Sequence, residues 1–297
     1  MRLGLDIGGT KIDAVALAGN GSEVRSRVRV ASGFGSDEVV RNAEAAALEA
    51  AQAAGGGAIE SVGIGIPGIV DARAGMVRHA VNLGLAEVDL GGILTERLGA
   101  PVRVENDVNA ASLGAFHLLG LAGSMAYLNL GTGVAAGFVK DGEVWRGARG
   151  TAGEIGHIPI VPGGTRCGCG QFGCLETVAG GGWVARKWGG SAAQPVARLF
   201  DAADAGDERA LALRGDLAAG AAAAVRILIL TADVETVVIG GGISNFGDRL
   251  LDPLRARLDE LARTSRFIDS LELSSRVRLA PQGSPLAAVG AALAGGR

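Results

Sequence analysis

Several groups of residues in this chain have the types and spacing to do chemistry. The tightest is Glu154-Ile155-Gly156-His157, followed by Cys167-Gly168-Cys169-Gly170-Gln171-Phe172-Gly173-Cys174-Leu175-Glu176. Three thiols and one imidazole can close a Cys3His tetrahedron around a structural Zn2+, which leaves no open coordination position for catalysis. Free thiols or a redox pair are the competing readings. Gly168, Gly170 and Gly173 would let the loop wrap an ion, and the wrapped loop would place Glu154 and Glu176 beside a substrate. Two small-residue turns, Asp6-Ile7-Gly8-Gly9-Thr10-Lys11 and Leu130-Gly131-Thr132-Gly133, can bring backbone N–H groups close to an anion, because a side chain at the glycines would block the approach. Asp6 could hold hydrated Mg2+, and Thr10 and Thr132 offer hydroxyls to phosphate oxygens. Either turn alone reads as an ordinary hairpin; both together, with Gly240-Gly241-Gly242 as a third loop, favour phosphate binding. No Walker A pattern is present. In Glu105-Asn106-Asp107, the Asp107 carboxylate could accept a hydroxyl proton while Asn106 orients the same substrate. Asp is also a favoured helix N-cap, and local sequence does not choose between the two roles.

One glycine pattern is set aside. Gly63-Ile64-Gly65-Ile66-Pro67-Gly68 fits the dinucleotide G-x-G-x-x-G spacing, with Glu87 near the expected acidic position. Pro67 and Gly68, however, fall where the phosphate-facing helix should begin, so the strand–turn–helix context is missing.

The elements that must position these groups alternate between strand and helix. Arg2 to Ile7 reads as a strand entering a glycine turn, and Ile12 to Leu17 as its return. Ser36 is the expected N-cap of an alanine-rich helix that Gly55-Gly56-Gly57 stops. Val62–Ile66 and Val102–Val104 are short strands, with a helix near Leu90–Leu98, and Glu105-Asn106-Asp107 opens another helix. A second half begins near residue 120 and repeats the opening shape: Met125–Leu130, a small-residue turn, then Val134–Val139, with Asp141-Gly142 marking the next hairpin. Leu217–Leu230 is helical, Thr236–Ile239 is a strand, and Gly240–Gly242 turns into another helix. Pro285–Leu293 is a small-residue helix that could pack back on the first half. This alternation predicts an α/β architecture.

Composition narrows the class. Of 297 residues 50 are glycine, with no three-residue period, which excludes collagen; apolar residues make up 48%, which excludes disorder. With 28 Lys and Arg against 31 Asp and Glu, the net charge of −3 argues against a non-specific nucleic-acid binder. Three clustered cysteines suit a metal site in a reducing compartment rather than a secreted disulfide framework. No signal peptide is visible. The uncharged stretch Leu118–Val139 contains too many glycines and polar residues for a membrane-spanning helix, so a soluble cytoplasmic protein is expected.

Taken together, Asp6–Lys11, Glu105-Asn106-Asp107-Val108-Asn109-Ala110-Ala111, Leu130–Gly133, Gly153–His157 and the Cys-x-Cys-Gly-x-x-Gly-Cys-x-Glu loop resemble the ROK group of bacterial sugar kinases and related repressors, over essentially the whole chain. The resemblance implies a two-lobed, actin-like (ribonuclease H-like) ATPase fold with ATP and sugar in the interlobe cleft. Residues 1–118 would form the smaller lobe, with 286–297 packing back on it, and 119–285 the larger lobe carrying the zinc loop. Carried over by position, Asp107 is the base for the sugar 6-hydroxyl. Gly68, Asn82, Asn106, Glu154, His157 and Glu176 surround the sugar, with His157 shared between zinc and substrate. Asp6, Gly8, Gly9, Thr10, Lys11, Gly131, Thr132 and Gly133 surround phosphate and Mg2+, and Gly241 and Gly242 border the nucleotide. His157, Cys167, Cys169 and Cys174 hold the zinc. The implied activity is ATP-dependent phosphorylation of glucose, within a homodimer or homotetramer. Its competitors are kinases for N-acetylmannosamine, N-acetylglucosamine, fructose or a cyclitol, polyphosphate as the donor, and a non-catalytic sugar-sensing regulator. Only five residues precede Asp6, so the DNA-binding module of the repressors, and a nucleic-acid partner, are not expected.

Overall fold

The computed structural model describes residues 1–18, 21, 23–189 and 194–296. The chain divides into two compact units: Met1–Ala122 with Gly137–Ala152 and Gly283–Arg297, and Gly123–Ala136 with Gly153–Gln282. The expected partition gave all of 119–285 to the second lobe. The structure returns Gly137–Ala152 to the first unit, where the backbone of Gly137 lies so close to Val108 and Ser112 that a Cβ would come 2.9 Å from the Ser112 hydroxyl. Residue 297 of the expected tail lies outside the described residues.

The first unit opens with β1 (Arg2–Ile7), β2 (Lys11–Leu17) and β3 (Val24–Ala31), followed by α1 (Ser36–Ala53) and β4 (Ser61–Ile66). A small antiparallel sheet follows, made of β5 (Ile69–Asp71), β6 (Met76–Ala80) and β7 (Leu85–Asp89). Then come α2 (Leu90–Leu98), β8 (Val102–Asn106) and α3 (Asp107–Leu118). The main sheet has the order β3-β2-β1-β4-β8, antiparallel through β1 and parallel from β1 to β8. Ser36 does not cap α1: the N-cap is Gly35, and the Glu38 carboxylate instead accepts the Phe34 N–H at 2.9 Å. The long acid reaches back over the first turn, which a short serine hydroxyl one residue inside the helix cannot do.

The chain continues with β9 (Ser124–Leu130), β10 (Val134–Lys140) and β11 (Glu143–Trp145). Asp141 and Gly142 both have positive φ, as the expected β10–β11 hairpin requires. The helices α4 (Glu176–Ala179), α5 (Gly181–Trp188), α6 (Pro195–Asp204) and α7 (Glu208–Ala232) precede β12 (Thr236–Gly240). Then follow α8 (Asp248–Thr264), α9 (Arg266–Asp269), β13 (Val277–Leu279) and α10 (Leu286–Gly295). Gly240–Gly242 does not run straight into an α-helix; a 3-10 turn over Gly242–Phe246 intervenes. The second sheet has the order β11-β10-β9-β12-β13, the first sheet's pattern of third, second, first, fourth, fifth strand. The repeat suggested by shape alone is thus a repeat of topology. The uncharged stretch Leu118–Val139 holds the end of α3, β9 and most of β10. Among the described residues α7 is the one helix long and apolar enough to cross a membrane, but half of its most apolar window is buried, and it packs against α4, α5, α6 and α8.

Strand alternation explains the first unit's two faces. Leu3, Leu5 and Ile7 of β1, with Val62, Ile64 and Ile66 of β4, join one buried cluster with the alanines of α1 (Ala43, Ala46, Ala47 and Ala50). Of the intervening residues, Gly4, Gly63 and Gly65 carry no side chain; helix backbone fills the place at Gly4 and Gly63, and the Ala110 methyl approaches at Gly65. A Cβ on Gly4 would overlap the Ala288 carbonyl oxygen of α10, and one on Gly63 the Ala291 carbonyl oxygen. Where α3 meets α10, a Cβ on Gly114 or Gly290 would likewise strike the other helix's backbone. Gly63-x-Gly65 is therefore a packing motif in β4, which explains its accidental match to the dinucleotide pattern. Gly63→Ala should lower unfolding stability by about 1–3 kcal/mol through overpacking. Gly215→Ala, in α7 with open space around its Cβ position, should raise it by about 0.5–1 kcal/mol. Urea unfolding of both variants checks the contrast, and a wild-type midpoint for Gly63→Ala would contradict the close backbone contact.

Candidate active site

In the first unit the expected site residues come from the ends of β1, β4 and β8. The β1–β2 turn is a tight hairpin in which the Gly8 N–H donates to the Lys11 carbonyl at 2.9 Å. That amide is spent internally, and the turn presents Gly9, Thr10 and Lys11 as its exposed tip. Ser32, fully buried, braces the turn from β3's end, its hydroxyl donating to the Gly8 carbonyl and its N–H to the Thr10 carbonyl. Asn82 packs against the tip, since a Cβ on Gly9 would sit 3.0 Å from the Asn82 Cβ.

At the β8–α3 corner, Asn106 is the N-cap, its Oδ1 accepting the N–H groups of Val108 and Asn109 at 2.9 and 3.3 Å. Asp107 is the first helical residue, so the capping role that competed with catalysis belongs to its neighbour. Asp107 Oδ1 accepts the Val108 N–H at 2.9 Å, while Asn106 Nδ2 points toward the Gly68 carbonyl at 3.5 Å. Gly65, next to β1 in the sheet, has its Cβ position 3.7 Å from the Asp107 Cα. The consequence is electrostatic. Burial, the Asp107 carboxylate and then the Asp13 carboxylate push the Asp6 carboxyl up to about 7, against the opposing pull of Lys11. Asp13 lies opposite Asp6 in the β1–β2 register. Burial alone would raise its own pKa, but hydrogen bonds from Arg29 and Arg27 hold it below the ordinary carboxylate range. A half-buried acid crowded by two other carboxylates is a donor set that a divalent cation would relieve.

In the second unit, Gly131-Thr132-Gly133 is tied to the start of α5: the Gly181 and Gly182 N–H groups donate to the Gly131 and Thr132 carbonyls, both at 2.9 Å. The Gly131 N–H donates to the Gly133 carbonyl. Glu176 lies over this turn, its Oε2 accepting the Val134 N–H at 3.1 Å, in space that a Cβ on Gly133 would contest. An expected sugar ligand and an expected phosphate loop are therefore in contact. Gly241, at φ 80°, fits against the Leu130 carbonyl and the Asn129 side chain, so the third glycine loop sits beside the second. Glu154 opens the Gly153–His157 segment, which lies along β10; Gly153 and Gly156 leave room for the Ala136 and Val134 carbonyls.

The Cys3His group assembles beyond that segment. One ligand atom from each of His157, Cys167, Cys169 and Cys174 lies within 4.8 Å of all the others. His157 Nδ1 is 3.8 Å from Cys167 Sγ, and Cys169 Sγ is 3.7 Å from Cys174 Sγ. A tetrahedral zinc with ~2.3 Å bonds to sulfur holds two sulfurs ~3.8 Å apart, so the spacing fits the ion; it is far beyond disulfide length, ~2.05 Å. A hydrogen bond from the Gln171 backbone N–H, foremost, pulls the Cys169 thiol down to about 7. Burial and the neighbouring thiols push Cys174 up to about 12. Nδ1 is the ring nitrogen that faces the Cys167 sulfur, which leaves Nε2 on the other side of the ring. His79 and His117 are exposed and stand apart from this group.

Four further residues, none with a role legible in the sequence, support these groups. Ser32 has no sequence signature. Asn129 is the one amide in an apolar strand, visible as an interruption of a buried run, and Glu105 is an acid one residue before the end of β8. Arg146 is brought to Glu105 by the return of Gly137–Ala152 to the first unit.

Two sheets of the same strand order, with acids and glycine turns at their strand ends, define an actin-like α/β ATPase fold. The ROK family model matches residues 2–294, and the chain belongs to the ROK family. It is 36% identical over 251 residues to a glucokinase of Halalkalibacterium halodurans, covering 77% of this chain and 74% of that one. The ROK hexokinase structure from Thermus thermophilus superposes with a TM-score of 0.82 at 34% identity, covering 99% of this chain and 97% of that one. A ROK glucokinase from Streptomyces griseus, in complex with glucose and AMPPNP, gives 0.79 at 32% identity, covering 99% and 98%.

Metal analysis of the purified protein should find about one zinc per chain, as a closed four-ligand site requires. Cys169→Ser should lower both the zinc content and the yield of folded protein. A full complement of zinc in that variant would contradict the four-ligand set.

Proposed function

We propose that this protein is an ATP-dependent glucokinase that phosphorylates the 6-hydroxyl of glucose. The observation that carries the reading is the β8–α3 corner, where Asn106 takes the capping role and the Asp107 carboxylate is close enough to Asp6 to raise its pKa. The similarity to glucokinases, one of them in complex with glucose and AMPPNP, supports the choice of sugar and donor.

Asp107 accepts the proton of the 6-hydroxyl as that oxygen attacks the γ-phosphorus in line and the bond to the ADP oxygen breaks. Positioning and charge neutralisation supply most of the rate in such a transfer. Asn106 orients the same hydroxyl, and Asn82, Glu154, His157 through Nε2, and Glu176 hold the others, with Gly68 lining the pocket. Asp6, Gly8, Gly9, Thr10, Lys11 and Gly131–Gly133 receive the phosphates, and Gly241 and Gly242 border the nucleotide. A Mg2+ bound with the nucleotide would neutralise phosphate charge, with Asp6 as the residue placed to hold it. The Cys3His group is read as a structural Zn2+ site that fixes the Glu154–Glu176 loop.

Asp107→Ala should lower kcat on glucose by about 10²–10⁴-fold, the range for loss of a general base, with the circular dichroism spectrum unchanged. Undiminished turnover would remove Asp107 from the mechanism. Across a panel of glucose, N-acetylmannosamine, N-acetylglucosamine and fructose, kcat/KM should be highest for glucose; sugar binding without turnover on any of them would instead indicate a sensor.

A further inference from the structure

We propose that Glu105 and Arg146 form a positioning pair that holds the general base in register for phosphoryl transfer. The proposal rests on the kinase reading with Asp107 as the base, and neither residue of the pair is asked to touch the sugar or the nucleotide.

Glu105, the penultimate residue of β8, has only 4% of its surface exposed, so each of its carboxylate oxygens must be satisfied by protein. Oε1 accepts the Asn106 N–H at 3.1 Å and the Asn109 side-chain amide at 3.0 Å. Oε2 accepts Arg146 Nε at 2.7 Å and also meets Nη2 of the same guanidinium, so both nitrogens converge on one oxygen. Asn106 immediately precedes Asp107 and Asn109 follows it by two residues, so one carboxylate grips the backbone before the base and the first helical turn after it. Ser112 extends the same grip, donating its hydroxyl to the Asn109 carbonyl at 2.7 Å.

The Arg146 end of the pair reaches the segment leading to Glu154. The Arg146 carbonyl accepts the Ala152 N–H at 3.2 Å, and Ala152 is the last residue before the chain enters the second unit at Gly153. The guanidinium side chain is 43% exposed while its partner is buried. Removing it therefore leaves a buried carboxylate without its cation, a costly state that movement of the corner relieves. That movement shifts Asp107 relative to the hydroxyl it must deprotonate. A displacement near 1 Å is enough to cost about a hundredfold in rate.

The test uses the full-length protein in the glucose–ATP assay, comparing wild type with Arg146→Ala, Arg146→Lys, Glu105→Gln, Arg146→Ala with Glu105→Gln, and Asp107→Ala. Arg146→Ala and Glu105→Gln should each lower kcat by about 10–100-fold, with KM for ATP changed less than about threefold, since the pair places the base and not the nucleotide. The double variant should be no slower than the slower single, because the two residues act as one unit. Guanidinium ion added at non-denaturing concentration, or the Arg146→Lys change, should recover part of the lost kcat of Arg146→Ala, which general loosening of the fold would not allow. The proposal is overturned by a kcat for Arg146→Ala within twofold of wild type, by losses that multiply in the double variant, by absence of both forms of rescue, or by activity that merely tracks the folded fraction. A wild-type protein that transfers no phosphate, or an Asp107→Ala variant with full activity, marks failure of the kinase reading instead.

Discussion

Two carboxylates, Asp6 near the end of β1 and Asp107 at the start of α3, lie close enough that the charge of one raises the cost of ionising the other. The remaining architecture can be read as what is needed to hold them there. Three parallel strands, β1, β4 and β8, set the separation, with Gly65 between them so that the first turn of α3 can approach the sheet. Asn106 relieves Asp107 of helix capping, and Arg27 and Arg29 keep Asp13, across from Asp6, ionised. Two carboxylates held this close at strand ends of one sheet form a place where a cation would be stabilising.

The same constraint accounts for part of the glycine excess. Gly4, Gly63, Gly114 and Gly290 are not turn residues; they let the backbones of α10, α3 and the sheet touch. Flexible loops would have been the simpler explanation for 50 glycines in 297 residues. In these positions glycine does the reverse, since interlocked backbones at this distance leave the elements no freedom to slide.

What could be read from sequence, and what could not, divides by range. Asp6–Lys11, the Cys3His spacing and the strand–acid–helix corner are local patterns, and each appears as a local structure. The capping role at that corner shifted by one residue, to Asn106, because Asn and Asp are nearly equivalent caps and only the helix start separates them. The return of Gly137–Ala152 to the first unit depends on contacts with Val108, Ser112 and Glu105, some 25 or more residues earlier in sequence, with no local signature. For the same reason Arg146 gave no hint of its partner, and Gly63 passed for part of a nucleotide motif.

Which atom receives the phosphate is read directly by product analysis. Uniformly 13C-labelled glucose incubated with ATP and Mg2+ and followed by NMR should show phosphorus coupling at carbon 6, with one ADP formed per sugar phosphorylated. Phosphate on another carbon, or ATP consumed with no labelled sugar phosphate, would contradict it.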